Sequence, residues 1–330
     1  MQDSPPFFVS SVPLVAVSST QSLLRFLRLF AAVLLHSGVA SIVAAAVLAD
    51  EPLPAERAKF EPLPGNPVFT AAGEGHWDAR IRERGWILRD GDQWRMWYTG
   101  YDGSRGGLKM LGQATSPDGI HWTRDARNPL YREHWVEDMC VVKHDGTYYM
   151  AAEGFLDRVH LLTSPDGLAW TRRGLLDVRL TTGEPIPRGA FGTPVLWIEN
   201  GQWHLFYERG DKGVWLAKST DLKVWTNVQD EPVLSPGPDA YDRDLVAMNQ
   251  IVKHNGRYYA VYHGAAADKS PALWATGLAV SDDLLHWTKC AGNPLRPVAE
   301  NKSSGLLIRH GDGFRLYTMH DRVDVHEARR

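Results

Sequence analysis

From about Ala58 onward the sequence predicts an all-β, five-bladed β-propeller, each blade a four-stranded antiparallel sheet, and two recurring elements predict it. An apolar strand, a two-residue turn and an aromatic strand recur five times, as in residues 86–98. The turns read Asp90-Gly91, Asp145-Gly146, Asn200-Gly201, Asn255-Gly256 and Asp312-Gly313. Such pairs favour the type I′ hairpin, whose two central residues both need positive φ. Their glycines recur at roughly 55-residue intervals, room for four strands and their connections. A second element, a turn followed by a Trp-bearing strand, occurs four times: Ser116-Pro117-Asp118-Gly119 to Trp122, Ser164 to Trp170, Ser219 to Trp225 and Ser281 to Trp287. Between hairpin and Trp strand lies a third strand in each of the first four blades, at 111–115, 160–163, 214–218 and 277–280. The fifth hairpin is followed only by residues 322–330, too few to complete a blade. The segment around residues 57–63 is therefore expected to supply or cover the missing outer strand and close the ring, since a bare sheet edge invites aggregation.

Composition agrees with a β protein. The 330 residues are 44% hydrophobic and 23% charged, a globular balance, and their 13 Trp and 11 Tyr suit pleated sheets. A net charge of −3 with interspersed signs offers no basic stripe, which sets aside nucleic acid and anionic membranes as partners. No Gly-x-Ser-x-Gly elbow, His-Glu-x-x-His pair or Walker loop is present, and the Gly-rich stretch 100–107 precedes no helical pattern that would cradle phosphate. No cofactor or metal is expected, although an ion in the channel near the histidines stays open. Oligomeric state is left open too.

Residues 1–49 differ from the rest. Arg25 and Arg28 precede a nearly uncharged run, 29–48, that ends in Val47-Leu48-Ala49 before Asp50 and Glu51. That order of basic region, apolar core and small residues is that of a signal peptide, with cleavage expected after Ala49 and the segment before Leu23 an upstream extension. The competing reading is a retained anchor, because the run approaches the roughly 20 residues that span a bilayer. Cleavage implies a secreted or periplasmic protein, free of the membrane, whose propeller domain is 50–330. Cys140 and Cys290 fall at unlike positions of different repeats, so two free, buried thiols are expected rather than a disulfide.

A two-residue hairpin fixes register, so each turn carries a map of facing positions. Eight residues before and seven after each turn glycine stand Glu83 with Tyr98, Asp138 with Glu153, Thr193 with Glu208, Met248 with His263, and Gly305 with His320. In a propeller these pairs ring one end of the central channel. Four carboxylates and two histidines would then converge on a concave mouth, where crowding and partial burial drive carboxyl pKa values apart as acid/base chemistry requires.

The five repeats, the Ser-x-Asp-Gly-x-x-Trp turns and acids opening the innermost strands resemble the five-bladed propeller glycoside hydrolases, the grouping of families 43, 32, 62 and 130, over residues 59–320. The resemblance implies a carbohydrate substrate cleaved by a base or nucleophile from the first blade, a second acid that tunes and orients, and a general acid from a later blade. Glu83 occupies the first position, with Asp78 nearby in His76-Trp77-Asp78-Ala79-Arg80; Asp138 occupies the second, in Glu137-Asp138-Met139, which matches the Glu-Asp-Pro of the family-130 type except at Met139. The later blades open on Thr193, Met248 and Gly305 rather than acids, so the general acid is assigned to Glu208, with Glu153 as the alternative. Inversion, by analogy with family 43, implies acid and base carboxyls about 6.5 to 9.5 Å apart. His263, His320 and Arg80 are expected to grip hydroxyls or an anionic substituent, and Trp77 and Trp135 to stack on a sugar face.

Each acid has a competing structural reading as a strand-end carboxylate paired with backbone or an arginine. Asp78 is also read as a loop cap, and both histidines as hydrogen-bonded core residues. The recurring Trp side chains and turn Asp residues are assigned to packing and turn formation. Three functions remain: a glycoside hydrolase, a phosphorylase of the family-130 type, and a propeller that binds glycans without cleaving them.

Overall fold

The structure, a computed structural model, describes Leu53, residues 59–268 and residues 270–329. The expected leader, residues 1–49, lies outside them. In chain order, two short strands, β1 (Lys59–Pro62) and β2 (Phe69–Thr70), lead into blade 1, which is β3 (Arg80–Asp90), β4 (Gln93–Tyr101), β5 (Met110–Ser116) and β6 (Thr123–Arg124). Blade 2 is β7 (Glu137–His144), β8 (Thr147–Gly154), β9 (Arg158–Ser164) and β10 (Thr171–Leu175). Blade 3 gains a strand: β11 (Asp177–Arg179) lies parallel to β15 (Val224–Asn227), outside β12 (Gly192–Glu199), β13 (Gln202–Glu208) and β14 (Val214–Ser219). Blade 4 is β16 (Leu245–His254), β17 (Arg257–Ala266), β18 (Leu273–Ser281) and β19 (Thr288–Lys289). Blade 5 holds β20 (Gly305–His310), β21 (Gly313–Met319) and β22 (Arg322–Arg329).

The innermost strands touch in a closed cycle, β3 to β7 to β12 to β16 to β20 and back to β3. The N-terminal segment completes the last blade as the missing strand required: β1 pairs antiparallel with β22, Lys59 opposite Arg329 and Pro62 opposite His326, and β2 covers the rest of that edge. Only closure of this kind protects the final blade from edge-to-edge association.

Two local expectations need correction. In blades 2 to 4 the turn residues are the expected pairs, with positive φ at both, such as Asp145 (46°) and Gly146 (75°). In blades 1 and 5 the pairs Asp90–Gln93 and His310–Gly313 close the hairpins, so the loops are Gly91-Asp92 and Gly311-Asp312. There only the leading glycine has positive φ, as a type II′ turn demands, and a single well-placed glycine satisfies it. The second correction concerns where the recurring tryptophans stand, since their packing between blades is as expected, Trp170 on Trp97 at 6.2 Å and Trp287 on Phe206 at 6.1 Å. Trp122, Trp170 and Trp287 stand just before their outer strands, their indole N–H groups donating to Gly119, Gly167 and Leu284 carbonyls at 3.0 to 3.1 Å. They therefore fasten the turn, which Asp118, Asp166, Asp221 and Asp283 form by accepting from two successive backbone N–H groups.

Blades are latched to one another by aromatic residues of their second strands. Trp97 of blade 1 donates to the turn carbonyl of Gly167 in blade 2 (2.9 Å), and Tyr317 of blade 5 donates to that of Gly119 in blade 1 (3.0 Å). Gly119 has φ +76°, and a Cβ there would lie 2.5 Å from the Tyr317 hydroxyl, so the latch requires glycine on both counts. Trp97 is wholly buried, and truncating such a side chain to Ala costs about 3–5 kcal/mol. No disulfide joins the two cysteines; Cys140 is buried as expected, whereas Cys290, past the outermost strand of blade 4, is only partly buried.

Candidate active site

At one end of the channel the innermost strands break their pairing. Bulges fall between Arg82 and Trp86 in β3, Glu137 and Cys140 in β7, Gly192 and Val195 in β12, and Met248 and Gln250 in β16. Inside the first three lie Glu83, Asp138 and Thr193, with φ of 57°, 42° and 44°. Left-handed backbone is uncommon for non-glycine residues and strained for β-branched Thr, and a bulge re-aims the side chain it carries.

The bulges alter the expected pairings. Glu137 rather than Asp138 lies opposite Glu153, Gly192 rather than Thr193 opposite Glu208, and Ala247 rather than Met248 opposite His263. Gly305 faces Thr318, and His320 follows the end of β21. Tyr98 leaves the ring altogether, its hydroxyl donating to Asp78. Even so, Glu83, Asp138, Glu153, Glu208, His263 and His320 all line one cavity of about 320 Å3.

Arg84 ties together the strands that carry these residues. Wholly buried, it donates from Nη1 to the carbonyls of Met248 (3.1 Å) and Asn249 (2.7 Å), and from Nη2 to those of Pro194 (2.7 Å) and Asp138. One guanidinium thus satisfies carbonyls freed at the bulges of three blades, and its backbone N–H donates to Asp138 Oδ1 at 3.3 Å.

The acids sit in unlike surroundings. Burial works to raise the Glu83 pKa, but His320 (Nδ1 to Oε2, 3.4 Å), Arg82 (Nη2 to Oε1, 2.6 Å) and His263 outweigh it, and the net shift is downward. Asp138 is pushed up to about 8 by burial and the Glu83 charge, against the pull of Arg84. Glu208 rises to about 7 through burial and Asp211, and Glu153 well above its usual range through burial and Asp138. These two clasp one piece of backbone. Thr193 N–H donates to Glu153 Oε2 at 3.0 Å, and a Cβ on Gly192 would lie 2.2 Å from Glu153 Oε2 and 2.8 Å from Glu208 Oε1. His263 drops to about 3 through burial and then Arg84, with Nδ1 2.8 Å from Asn249 Oδ1; a neutral ring donating there leaves Nε2 as an acceptor. The cavity therefore sets Glu83, whose pKa is lowered, beside Asp138, Glu153 and Glu208, whose pKa values are raised, the division acid/base catalysis uses.

Four residues singled out in the sequence, Asp78, Arg80, Trp77 and Trp135, lie outside this cavity. Asp78 is buried between strands, its Oδ2 receiving Arg124 Nε (2.8 Å) and the Tyr98 hydroxyl, which is a structural tie. Arg80 is exposed and donates to the carbonyl of Ala79. Trp135 packs beside Phe155 and Lys109, and Trp77 against Tyr98. Conversely, Arg82, Asp157 and Asp211 line the cavity unforeseen. Asp211, raised to about 6 by burial and Glu83, donates its N–H to Glu208. Asp157 and Asp211 stand in connections between strands, beyond the reach of hairpin register. Arg82 is adjacent to Glu83, and its ion pair to Glu137 (2.7 Å) shows only in three dimensions.

No family model matches the chain. It is 26% identical over 238 residues to a 1,2-β-oligomannan phosphorylase of Thermoanaerobacter sp., covering 68% of this chain and 78% of that protein. Among solved structures, a member of the family-130 mannoside phosphorylases, a family that contains glycoside hydrolases targeting β-1,2-mannosidic linkages in Candida mannan, superposes with a TM-score of 0.64 at 19% identity, over 82% of this chain and 93% of the other. The β-1,2-mannobiose phosphorylase of Listeria innocua, solved with β-1,2-mannobiose, gives 0.62 at 16% identity, over 82% and 96%. The five-bladed architecture is thus shared with carbohydrate-active propellers, family 130 among them.

Proposed function

We propose that the protein is a glycoside hydrolase that cleaves a β-mannosidic bond by carboxylate acid/base catalysis with inversion. The observation that carries this reading is the opposition of ionisation states in one cavity: Glu83 held ionised by His320 and Arg82, with Glu208 and Asp138 held protonated by burial. In the mechanism, Glu208 gives its proton to the glycosidic oxygen as the bond to the anomeric carbon breaks. Glu83 takes a proton from the water that attacks that carbon from the opposite face. Asp138, fixed by Arg84, donates a hydrogen bond to a sugar hydroxyl, and the Nε2 of His263 accepts one. The mannoside class is taken from the proteins the chain resembles.

A phosphorylase is the second reading, favoured by the Thermoanaerobacter relative. Phosphate in place of water needs an uncommitted cation, and the cationic groups of the cavity are committed: Arg82 to Glu83 and Glu137, His320 to Glu83, with His263 neutral. Hydrolysis is therefore preferred. Export by the leader in residues 1–49 belongs to the proposal, and a mature chain beginning at Asp50 is its signature.

The test is a panel of β-mannosides, β-1,2-mannobiose among them, with the first-formed sugar followed by NMR. Initial release of α-mannose is expected; initial β-mannose would refute inversion, and an inert panel would refute the mannosidase reading.

A further inference from the structure

Beside the catalytic cavity lies a larger one, about 730 Å3 against about 320 Å3, and the two share Asp157 and Ala190 in their walls. The two cavities therefore adjoin at these residues. The walls of the second come from the connection between β8 and β9 and from the segment before β12, with apolar surface from Leu156, Ile186 and Phe191. Arg209 braces this segment by donating to the carbonyl of Pro187 at 3.1 Å. Leu156 remains 67% exposed, an apolar surface facing the cavity without a partner to cover it.

Two guanidiniums border this space. Arg158 lies over the Phe191 ring at 5.8 Å, and Arg188 is exposed without a hydrogen bond or ion pair among the described residues. Neither arginine pairs with Asp157, although Arg158 follows it directly in sequence. Around the catalytic cavity the opposite holds: Arg82 is bound by two carboxylates and Arg84 by four carbonyls. Uncommitted guanidinium groups beside a mostly apolar cavity are the arrangement that recognises carboxylate or phosphate on a ligand whose body packs on apolar walls.

We infer that the second cavity binds the sugar next to the cleaved bond, and that this sugar carries an anionic group, carboxylate or phosphate, held by Arg158 and Arg188. Placing that sugar beside the cleaved bond rests on the hydrolase reading; the capture of an anionic sugar does not. One carboxyl, Asp157, shares this wall with two arginines, Arg158 and Arg188.

Two measurements separate these claims. Calorimetry with mannuronate and with mannose 6-phosphate, on the wild-type protein and on the double variant Arg158→Gln, Arg188→Gln, reads binding directly. Saturable wild-type binding that weakens roughly ten- to hundred-fold in the variant is expected, the loss of charge-assisted hydrogen bonds. Preference for one ligand identifies carboxylate or phosphate as the natural group, while no binding, or equal binding by both proteins, overturns the inference. Kinetics then compare β-1,2-mannobiose with the same disaccharide bearing a 6-carboxylate or 6-phosphate on its reducing-end sugar. The ratio of kcat/KM for charged over neutral substrate should exceed ten and fall toward one in the variant. A wild-type ratio near one would refute the placement of the charged sugar beside the cleaved bond. Failure to cleave any of these substrates, with anion binding intact, would defeat the hydrolase reading and leave anion capture standing.

Discussion

Glu83 and His320 meet across the seam of the propeller, Nδ1 of the histidine 3.4 Å from Oε2 of the carboxylate, so the first and last blades jointly build one ion pair. Each raises the charged fraction of the other: the His320 pKa is raised, first by its hydrogen bond to Glu83, while that of Glu83 is lowered despite burial.

A base must be ionised and an acid protonated, so the pH–rate profile should be a bell. Activity falls on the acid side as pH drops through the depressed Glu83 pKa, and on the alkaline side as it rises through about 7, where Glu208 loses its proton. In His320→Gln, burial acts on Glu83 with less opposition, its pKa rises, and the acid limb should move up by roughly one unit or more while the alkaline limb stays. A profile whose acid limb does not shift would show that the pair has no part in catalysis.

The proton donor is identified by its leaving group. Glu208→Gln should lower turnover of an alkyl mannoside by about 10²–10⁴-fold, the usual range for a general acid, yet largely spare a dinitrophenyl mannoside, whose phenolate departs unprotonated. If Asp138→Asn instead gives that selective pattern, the two acids exchange roles.

Arg84→Met leaves four carbonyls of three blades without a donor. Removing one partner of a buried charged network typically costs about 3–5 kcal/mol. Urea denaturation should show a loss of that size, and an unchanged midpoint would mean that the bulges hold their shape unaided.

Gly192 is a further position to probe, because a methyl group there collides with Glu153 and crowds Glu208. Gly192→Ala should fold with a modest loss of stability and lose about tenfold or more in kcat, since small misplacements of catalytic groups are expensive. A variant with wild-type kcat would place both carboxylates outside the reaction.

Blade number and ring closure were legible because their signals are local: a glycine-bearing turn declares itself wherever it occurs, and a short final repeat demands a partner. Register was legible only in part. In blade 1 the loop is shifted to Gly91-Asp92, and the bulge before Trp86 undoes the shift, so Arg82 meets Thr99 at the spacing first expected. Bulges arise from pairing between strands and leave no mark in a single segment, which is why Glu137 and Gly192 were not placed opposite Glu153 and Glu208. Asp78 misled for the same reason: its partner Arg124 lies 46 residues away. Asp157 and Asp211 reach the cavity from connections that follow no period, so their placement needed the whole fold.

The most direct test of the central claim is the fate of the released sugar when β-1,2-mannobiose is incubated with and without inorganic phosphate. Free mannose at a rate independent of phosphate, and lost in Glu83→Gln, is the predicted result; mannose 1-phosphate formed only when phosphate is present would contradict it.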